Sequence, residues 1–533
     1  MIITRSVRYL LSVLSGILLV LSFPNTGSLF PLSFVALVPL LLTEHSIYKK
    51  RLRAGKVYIH AFLTFLIYNV GTTWWIWNSS EGGAIMAFVA NTFLMAFVFF
   101  LFHLTKRNLG RNMGFVCLFM YWIGFEYLHT FWELAWPWLS FGNIYASMPQ
   151  LIQWYSFTGV SGGTLWMLLT NFLLFRFIYS RFVQEKPREQ NKKWLVRFSL
   201  VLLLPMILSL VMYYTYEEKG VDSEIVVVQP NIDPYVDKFS GQILPQINAI
   251  CDLADSLVTP KTEFVIAPET ALPYLFVEEE VKRVIYYHYL VERKAKWPNA
   301  ALLIGANTKK YYYNKRSVAS LPTPDGPGYE EYYNTAMLID HIDRPSFLHK
   351  SKLVLGVEKI PFVSVFPFLQ QFALQNGGTS VTLGTEFAPR VFETNKVKLA
   401  PVICYESIFG EFISKQCKQG AEFIAVITND GWWKDTPGYK QHLAFARLRA
   451  IENRKWVARS ANTGTSAFIN QRGDVVQSTG WWTRAALRQV ISRNTELTFY
   501  SRVGDYIGKT SLLVATLAFI LTIFYRRRPK KSV

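Results

Sequence analysis

The chain has 533 residues, of which 51% are hydrophobic, 16% are aromatic and only 17% are charged. This balance excludes a single ordinary soluble domain and predicts a membrane part joined to a soluble part. A net charge of +19 would suggest nucleic acid binding in a soluble protein. Here the lysines and arginines cluster beside apolar segments, which indicates membrane orientation instead.

Apolar segments of spanning or nearly spanning length recur along the chain, and a helix needs about 20 residues to cross the hydrocarbon core. They lie at 8–24, 29–43, 57–77, 84–105, 114–130, 155–179, 195–215 and 509–525. Basic clusters precede the first segment and follow every even-numbered one, at 5–8, 49–56, 106–111, 181–197 and 526–531. Because cytoplasmic loops are enriched in Lys and Arg, this pattern predicts eight spans with both termini in the cytoplasm.

The predicted topology divides the chain into three parts. Residues 1–216 form an N-terminal transmembrane domain of seven helices, and residues 217–507 form a domain on the far side of the membrane. Residues 508–533 form a last transmembrane helix and a basic cytoplasmic tail. The first apolar segment lacks a clear small-x-small cleavage site, so we expect a retained helix rather than a signal peptide.

Two features of the N-terminal part allow alternative interpretations. The loop 131–154 is rich in Trp and Phe, which is typical of an interfacial aromatic belt; an amphipathic arm that guides lipid to a site is the alternative. Glu126 lies within the fifth apolar segment. A carboxylate at that depth is a functional candidate, or it neutralises a partner near the interface.

The far-side part alternates strand-like and helix-like patterns, which predicts an α/β layered domain. Strands are expected at 224–232, 263–267, 301–306, 332–340, 397–403, 422–428 and 457–469. Helices are expected at 242–258, 278–294 and 438–454, with a shorter one after Cys404. A part of this length is ample for its own hydrophobic core.

Three residues near predicted strand ends have complementary chemistry. Glu269 follows one strand, Lys350 lies near the end of another, and Cys404 ends a third. Sites collect at strand ends in α/β sheets, where a carboxylate can move protons, an ammonium can stabilise an oxyanion and a thiol can attack. We expect the nearby cation to favour the thiolate. From residue types alone, each could equally be a surface charge or an inert buried thiol.

The order and surroundings of these residues carry a family resemblance. The order Glu, Lys, Cys along the chain, with a Pro-Glu-Thr motif around Glu269 and a Cys-Tyr-Glu motif that begins at Cys404, resembles the nitrilase (carbon–nitrogen hydrolase) superfamily. The motifs Val228–Ile232 and Asn429–His442 narrow the resemblance to apolipoprotein N-acyltransferases, along essentially the whole chain. The resemblance implies an αββα sandwich in which Glu269 is the general base, Lys350 the catalytic lysine and Cys404 the nucleophile. It also implies supporting or substrate-binding roles for Glu358, Tyr405 and Glu406.

Two departures from the family pattern are present. The segment Leu353–Glu358 reads Leu-Val-Leu-Gly-Val-Glu where the family often has Leu-Val-Pro-Phe-Gly-Glu, although the spacing from Lys350 to Glu358 is kept. A tryptophan expected shortly after Ile232 is missing, and Phe239 stands nearest to its place. The first departure puts the shape of that loop in question.

The implied reaction transfers an acyl chain from a glycerophospholipid to the α-amino group of a diacylglyceryl-cysteine apolipoprotein, through a Cys404 thioester. No cofactor or metal is expected, and the four cysteines match no zinc-site spacing. The implied location is the bacterial inner membrane, with the catalytic domain on the periplasmic side and no role for nucleic acid. A membrane-tethered amidase that uses water, or a degenerate lipid-binding scaffold, are the alternatives.

The remaining polar and aromatic motifs have plainer interpretations. Asn429–Asp430 is expected to cap a turn. Trp432–Trp433 is expected near the acyl chain rather than in the core. Arg449 and Glu452 share a predicted helix, where a buried ion pair is the expected explanation.

Overall fold

The computed structural model describes residues 3–185, 187–324, 326–340, 345–366, 368 and 382–525. The chain divides into two compact units. Unit 1 comprises Met1–Trp74, Ala84–Thr215 and Asp505–Val533, and unit 2 comprises Trp75–Gly83 and Tyr216–Gly504. The basic tail expected at the C-terminus begins at residue 526 and lies outside the described residues.

Unit 1 is helical. Its elements are α1 Arg5–Ser22, α2 Val38–Lys49, α3 Gly55–Thr73, α4 Glu81–Asn108, α5 Arg111–Leu128, α6 Tyr155–Ile178, α7 Arg188–Thr215 and a final helix, Tyr506–Phe524. Among the described residues, six segments are long and apolar enough to cross a membrane, which confirms a membrane protein. Helices α3 and α5 occupy the other two predicted positions but carry buried polar groups such as Asn69 and Glu126. The count of eight spans therefore stays a prediction.

The Trp-rich loop folds back into unit 1. It forms short 3₁₀ helices at Pro137–Leu139, Phe141–Ser147 and Pro149–Leu151, and Trp138 is 1% exposed. The Glu126 carboxylate accepts hydrogen bonds from the backbone N–H of Phe141 at 2.8 Å and from Thr164 Oγ1 at 2.6 Å. These contacts explain the buried carboxylate, because it fastens the loop to α6.

The first sheet of unit 2 is mixed. It contains β1 Val221–Gln229, β2 Thr262–Ile266, β3 Leu272–Val277, β4 Ala301–Tyr312, β5 Leu321–Pro322, β6 Tyr329–Ile339 and β7 Ser346–His349, with helices α8 Ile243–Asp255 and α9 Ile285–Lys294. Strands β1, β2 and β4 run parallel, and β6 is antiparallel to β4. The helix expected at 278–294 is wrong in extent, because Val284 is extended and separates a 3₁₀ turn from α9.

The second sheet contains β8 Phe392–Glu393, β9 Lys398–Ile403, β10 Phe423–Thr428, β11 Val457–Ala461, β12 Ala467–Ile469 and β13 Val475–Ser478. Helices α10 Gly410–Lys418 and α11 Pro437–Asn453 belong to this half. The single strand expected at 457–469 is wrong. The turn around Gly464, whose φ is +124°, reverses the chain so that β11 and β12 pair antiparallel. Strand β14 Ala485–Arg493 then returns to the edge of the first sheet beside β1, and α12 Phe499–Val503 and α13, the final helix, follow.

The two sheets pack face to face through alternating side chains. Ile225 and Val227 of β1 lie in one apolar core with Leu399 and Phe423 of the second sheet. The opposite face of β1 packs against α8, while α10 and α11 pack against β9 and β11. Since successive strand residues point to opposite faces, each sheet has one face toward its partner sheet and one toward helices. The predicted α/β layered fold is confirmed.

Candidate active site

Cys404 sits at a sharp turn directly after β9. Its φ of +49° lies in the left-handed region, and a 3₁₀ helix, Cys404–Ile408, begins at the same residue. Parallel strands β9, β10 and β11 end at this edge of the sheet. The thiol is free and 8% exposed. The strained turn therefore places the Cys404 side chain at the edge of the core, beside the cavity where three strand ends meet.

Glu269 lies in the loop that follows β2, and the neighbouring strand leaves room for it. A Cβ added to Gly305 of β4 would come within 2.6 Å of the Glu269 Cα and 2.5 Å of the Thr270 backbone nitrogen. Only glycine permits this approach. The Glu269 Oε1 accepts hydrogen bonds from Asn334 Nδ2 at 2.8 Å and from Lys350 Nζ at 3.1 Å.

Lys350 follows β7 and is held between two carboxylates. Its Nζ donates to Glu269 Oε1 at 3.1 Å and to Glu358 Oε1 at 2.9 Å. The Glu358 Oε2 accepts from the backbone of Val354 at 2.8 Å, so this loop closes on the lysine despite its departure from the family pattern. Asn334 Nδ2 donates to both carboxylates.

Tyr405 and Glu406, the two residues after Cys404, make different contacts. Glu406 braces the turn, because its carboxylate accepts from the backbone of Ile403 at 2.8 Å and of Ser351 at 2.6 Å. It thereby ties the strand that carries Cys404 to the segment that carries Lys350. Tyr405 is buried and packs edge-on against Phe409. Neither residue lines the cavity described next.

One cavity of about 140 Å³ brings the predicted residues together. Its polar lining is Ser79, Glu269, Thr270, Asn307, Asn334, Lys350, Glu358, Cys404 and Asn429. Its apolar lining is Phe239, Val354, Val357, Leu383, Trp432 and Trp433. The cavity thus has reactive groups beside an aromatic and aliphatic wall. The described residues contain no group of three potential metal ligands.

The electrostatics assign the resting protons. Burial raises the pKa of Cys404 above its ordinary value, and the charge of Glu269 adds to that effect while Lys350 opposes it. Burial would also raise the pKa of Glu269, but Lys350, the Asn334 amide and Lys238 together lower it. The resting site therefore holds a thiol and a carboxylate. Lys350 does favour the thiolate, as expected, but desolvation outweighs the ion pair, so the net effect is a raised pKa of Cys404.

Lys350 keeps its charge because two carboxylates lie beside it. Burial opposes the ammonium, but Glu269 and Glu358 outweigh it and raise the pKa of Lys350 well above its ordinary value. Burial raises the pKa of Glu406 to about 7 against its backbone hydrogen bonds. The cavity wall therefore presents one permanent cation, and its charge is balanced by two carboxylates.

Several residues of the site escaped sequence reasoning. Lys238 is 1% exposed and donates from Nζ to the backbone carbonyl of Glu269 at 2.9 Å. Burial lowers its pKa to about 8, although Glu269 and Cys404 oppose this. Asn334 lies in the middle of β6, between a half rich in Glu and Tyr and an apolar half, so no break in the pattern marks it. Ser79 comes from a segment far away in the sequence.

Comparisons with known proteins agree with the motifs. Residues 15–173 match the apolipoprotein N-acyltransferase N-terminal domain, and residues 227–495 match the carbon–nitrogen hydrolase domain. The apolipoprotein N-acyltransferase of Chlorobaculum tepidum is 28% identical over 97% of this chain and 97% of its own length. That of Geobacter metallireducens is 28% identical over 98% of this chain and 96% of its own length.

Among solved structures, Saccharomyces cerevisiae Nit3, a member of branch 10 of the nitrilase superfamily, aligns with a TM-score of 0.36 at 15% identity. The alignment covers 53% of this chain and 94% of that one. The carbon–nitrogen hydrolase match spans about half of the chain, from the end of β1 through β14. The chain therefore belongs to the carbon–nitrogen hydrolase family, as its motifs predicted, and is similar along nearly its whole length to apolipoprotein N-acyltransferases.

Proposed function

We propose that this protein transfers an acyl chain from a glycerophospholipid to the N-terminal α-amino group of a diacylglyceryl-cysteine apolipoprotein. The observation that carries the proposal is the single cavity in which a thiol, a carboxylate and an ammonium face an aromatic wall. The named relatives, which cover nearly the whole chain, support the choice of substrates.

In the first half-reaction, Glu269 accepts the proton of Cys404 as the sulfur attacks the ester carbonyl of the phospholipid. An S–C bond forms, and the charge that develops on the carbonyl oxygen is stabilised by the Lys350 ammonium. The C–O bond then breaks, and Glu269 returns the proton to the departing lysophospholipid oxygen. The product is a thioester on Cys404, and no redox partner is needed.

In the second half-reaction, the α-amino group of the apolipoprotein attacks the thioester. Glu269 accepts a proton from the amine, the C–S bond breaks, and Glu269 returns that proton to the sulfur, which regenerates the thiol of Cys404. Glu358 holds Lys350 in place through both steps. Phe239, Trp432 and Trp433 line the cavity beside the nucleophile and provide apolar surface for the acyl chain.

We further propose eight spans, with both termini in the cytoplasm and the catalytic domain, 217–507, on the periplasmic side of the inner membrane. The order of basic clusters along the sequence supports this topology. Single cysteines placed on the exposed residues Arg107 and Lys396 of a variant without the native thiols would test it, using a membrane-impermeant maleimide on intact spheroplasts. Labelling at Arg107 but not at Lys396 would contradict the topology.

The function is tested with the full-length enzyme, vesicles of dioleoylphosphatidylethanolamine and a diacylglyceryl-cysteine peptide. Intact-mass analysis should find the peptide heavier by one oleoyl group, and the Cys404 tryptic peptide should carry the same addition when the acceptor is omitted. Cys404→Ala should abolish both. Release of free oleic acid with no change in the acceptor would indicate the amidase-like hydrolase instead. An enzyme that binds the vesicles but never acylates Cys404 would indicate the scaffold.

A further inference from the structure

A buried polar network bonds the backbone of the Cys404 turn and lies outside the lining of the cavity. It consists of Asp430 and His442 from the long sequence motif, Arg459 of β11, Ser407 of the 3₁₀ helix, and Thr428 at the end of β10. Each of the five is 0% exposed. None lines the catalytic cavity, so the reaction proposed above leaves this network without a role.

Three members have the connectivity of a serine–histidine–aspartate triad. Ser407 Oγ lies 2.7 Å from His442 Nε2, and His442 Nδ1 lies 3.0 Å from Asp430 Oδ1. A nucleophile, however, needs space for an electrophile. Ser407 has no accessible surface, and its hydroxyl donates to the backbone carbonyl of Cys404 at 2.8 Å. The arrangement is therefore not a second catalytic centre.

The network converges on Cys404 instead. His442 Nε2 lies 3.1 Å from the carbonyl oxygen of Cys404, and since that oxygen can only accept, the ring donates from Nε2. With the proton on Nε2, Nδ1 is an acceptor, and Arg459 Nη2 donates to it at 3.2 Å. The same guanidinium pairs closely with Asp430 Oδ2. Thr428 donates to Asp430 Oδ1 at 2.8 Å and also bonds the Cys404 side chain.

The Cys404 backbone has a reason to need such support. A non-glycine residue held at positive φ costs on the order of 1–3 kcal/mol and persists only where its surroundings enforce it. The carbonyl of Cys404 accepts from both Ser407 and His442, and these bonds hold the peptide plane on which the position of Sγ depends. Burial and the charge of Arg459 lower the pKa of His442, so the ring is a neutral donor rather than a second cation behind the thiol.

We infer that His442, held at Nδ1 by Arg459, which Asp430 in turn anchors, is a positioning residue that fixes the left-handed turn of Cys404 so that its sulfur points to Glu269 and the substrate carbonyl. This inference rests on the proposed function only for the identity of the electrophile. It predicts that loss of the Nε2 donor impairs attack by Cys404 on any electrophile. It also predicts that a side chain which restores a donor at the same place recovers that attack.

Two amide variants separate this role from a structural one. His442→Gln extends an N–H group to about the position of Nε2, whereas His442→Asn reaches only the position of Nδ1. Glu452→Gln is the matched control, because Glu452 lies on the same helix, is 0% exposed and accepts from Arg449, so it makes no bond to the Cys404 carbonyl.

Two rates are measured on full-length enzyme in detergent, each normalised to folded protein. The first is alkylation of Cys404 by iodoacetamide, followed on its tryptic peptide; the second is acyl-enzyme formation from dioleoylphosphatidylethanolamine. Since misplacement of a reacting atom by about 1 Å can cost about 100-fold, both rates should fall on the order of 10- to 100-fold in His442→Asn. They should stay within about threefold of wild type in His442→Gln and Glu452→Gln.

Equal rates in wild type and His442→Asn would overturn the inference, as would an equal loss in the Gln and Asn variants. If His442→Asn does not fold, Ser407→Ala removes the other donor to the same carbonyl and should slow alkylation severalfold, and unchanged alkylation would count against the inference. Alkylation needs no phospholipid. A wild-type enzyme whose Cys404 is alkylated at a measurable rate but forms no acyl-enzyme would therefore refute the proposed function, and the comparison of alkylation rates would still test this inference.

Discussion

Lys238 offers a prediction in which stability and activity change in opposite directions. The ammonium is 1% exposed, and burial lowers its pKa from 10.5 to about 8. Because each pKa unit corresponds to 1.36 kcal/mol, the charged form costs about 3 kcal/mol more in the folded protein than in the unfolded chain. Lys238→Met removes that cost and leaves one carbonyl, that of Glu269, without its donor, a loss of about 1 kcal/mol.

The variant should therefore be more stable than wild type by about 2 kcal/mol near pH 7. The difference in stability between variant and wild type depends on pH. Below pH 8, Lys238 is charged in the folded and the unfolded protein, so the wild type bears the full cost of burying the ammonium. Between pH 8 and 10.5 the folded protein binds fewer protons than the unfolded chain, so the free energy of unfolding of the wild type rises with pH. The advantage of the variant should shrink across this interval and reverse slightly above it.

Apparent Tm values measured in detergent from pH 7 to 10.5 check the prediction, with the exposed Lys396→Met as control. Acyl-enzyme formation should slow in Lys238→Met. Its acid limb should also move to higher pH, because Lys238 is one of the groups that lower the pKa of Glu269. A variant less stable than wild type at pH 7, or an advantage that does not change with pH, would refute the reasoning.

Three further changes test other parts of the site and fold. Glu269→Gln removes the proposed base and should slow acyl-enzyme formation by about 10²- to 10⁴-fold in single-turnover assays; a loss below tenfold would contradict the proposed role. Gly305→Ala pushes a methyl group to within 2.6 Å of the Glu269 Cα and should cost about 1–3 kcal/mol as well as activity. Gly326→Ala, which meets no atom within 4 Å, should change neither. Arg449→Met strands the buried Glu452 carboxylate and should cost about 3–5 kcal/mol in thermal or urea unfolding; Arg449→Met with Glu452→Gln should recover part of that loss.

The strand ends of unit 2 could be predicted from sequence because burial and periodicity mark them. Glu269, Lys350 and Cys404 each interrupt an apolar pattern at the point where it ends, and all three line one cavity. The buried Arg449–Glu452 pair is likewise confirmed, at 3.0 Å, since two opposite charges three residues apart face the same side of a helix. These signals are local in sequence.

Other features depend on contacts between distant segments, which no local pattern carries. Lys238 follows β1 in a loop without periodicity, and only the folded chain brings its Nζ to the carbonyl of Glu269. Asp430 was expected to cap a turn, yet it pairs with Arg459 across two neighbouring strands. The net direction of the Cys404 pKa could not be predicted from sequence either, because the desolvation that dominates it depends on burial in the folded chain.

The opposite pKa shifts of Cys404 and Glu269 bear on when the proton leaves the thiol. A thiol with a raised pKa beside a carboxylate with a lowered one makes spontaneous proton transfer unfavourable in the empty site, so little thiolate accumulates there. Attack becomes favourable only when an ester carbonyl is in place, because the new S–C bond removes the thiolate as it forms and Lys350 stabilises the oxyanion. Such an arrangement suits the proposed reaction with two membrane-anchored substrates, since a resting thiol resists oxidation and stray electrophiles. At neutral pH, Cys404 should accordingly react with iodoacetamide more slowly than a free exposed cysteine, and then form its thioester readily when phospholipid is supplied. A resting thiol that is alkylated as fast as free cysteine would show that the proton already resides on Glu269, and the order of proton transfer and attack would have to be reversed.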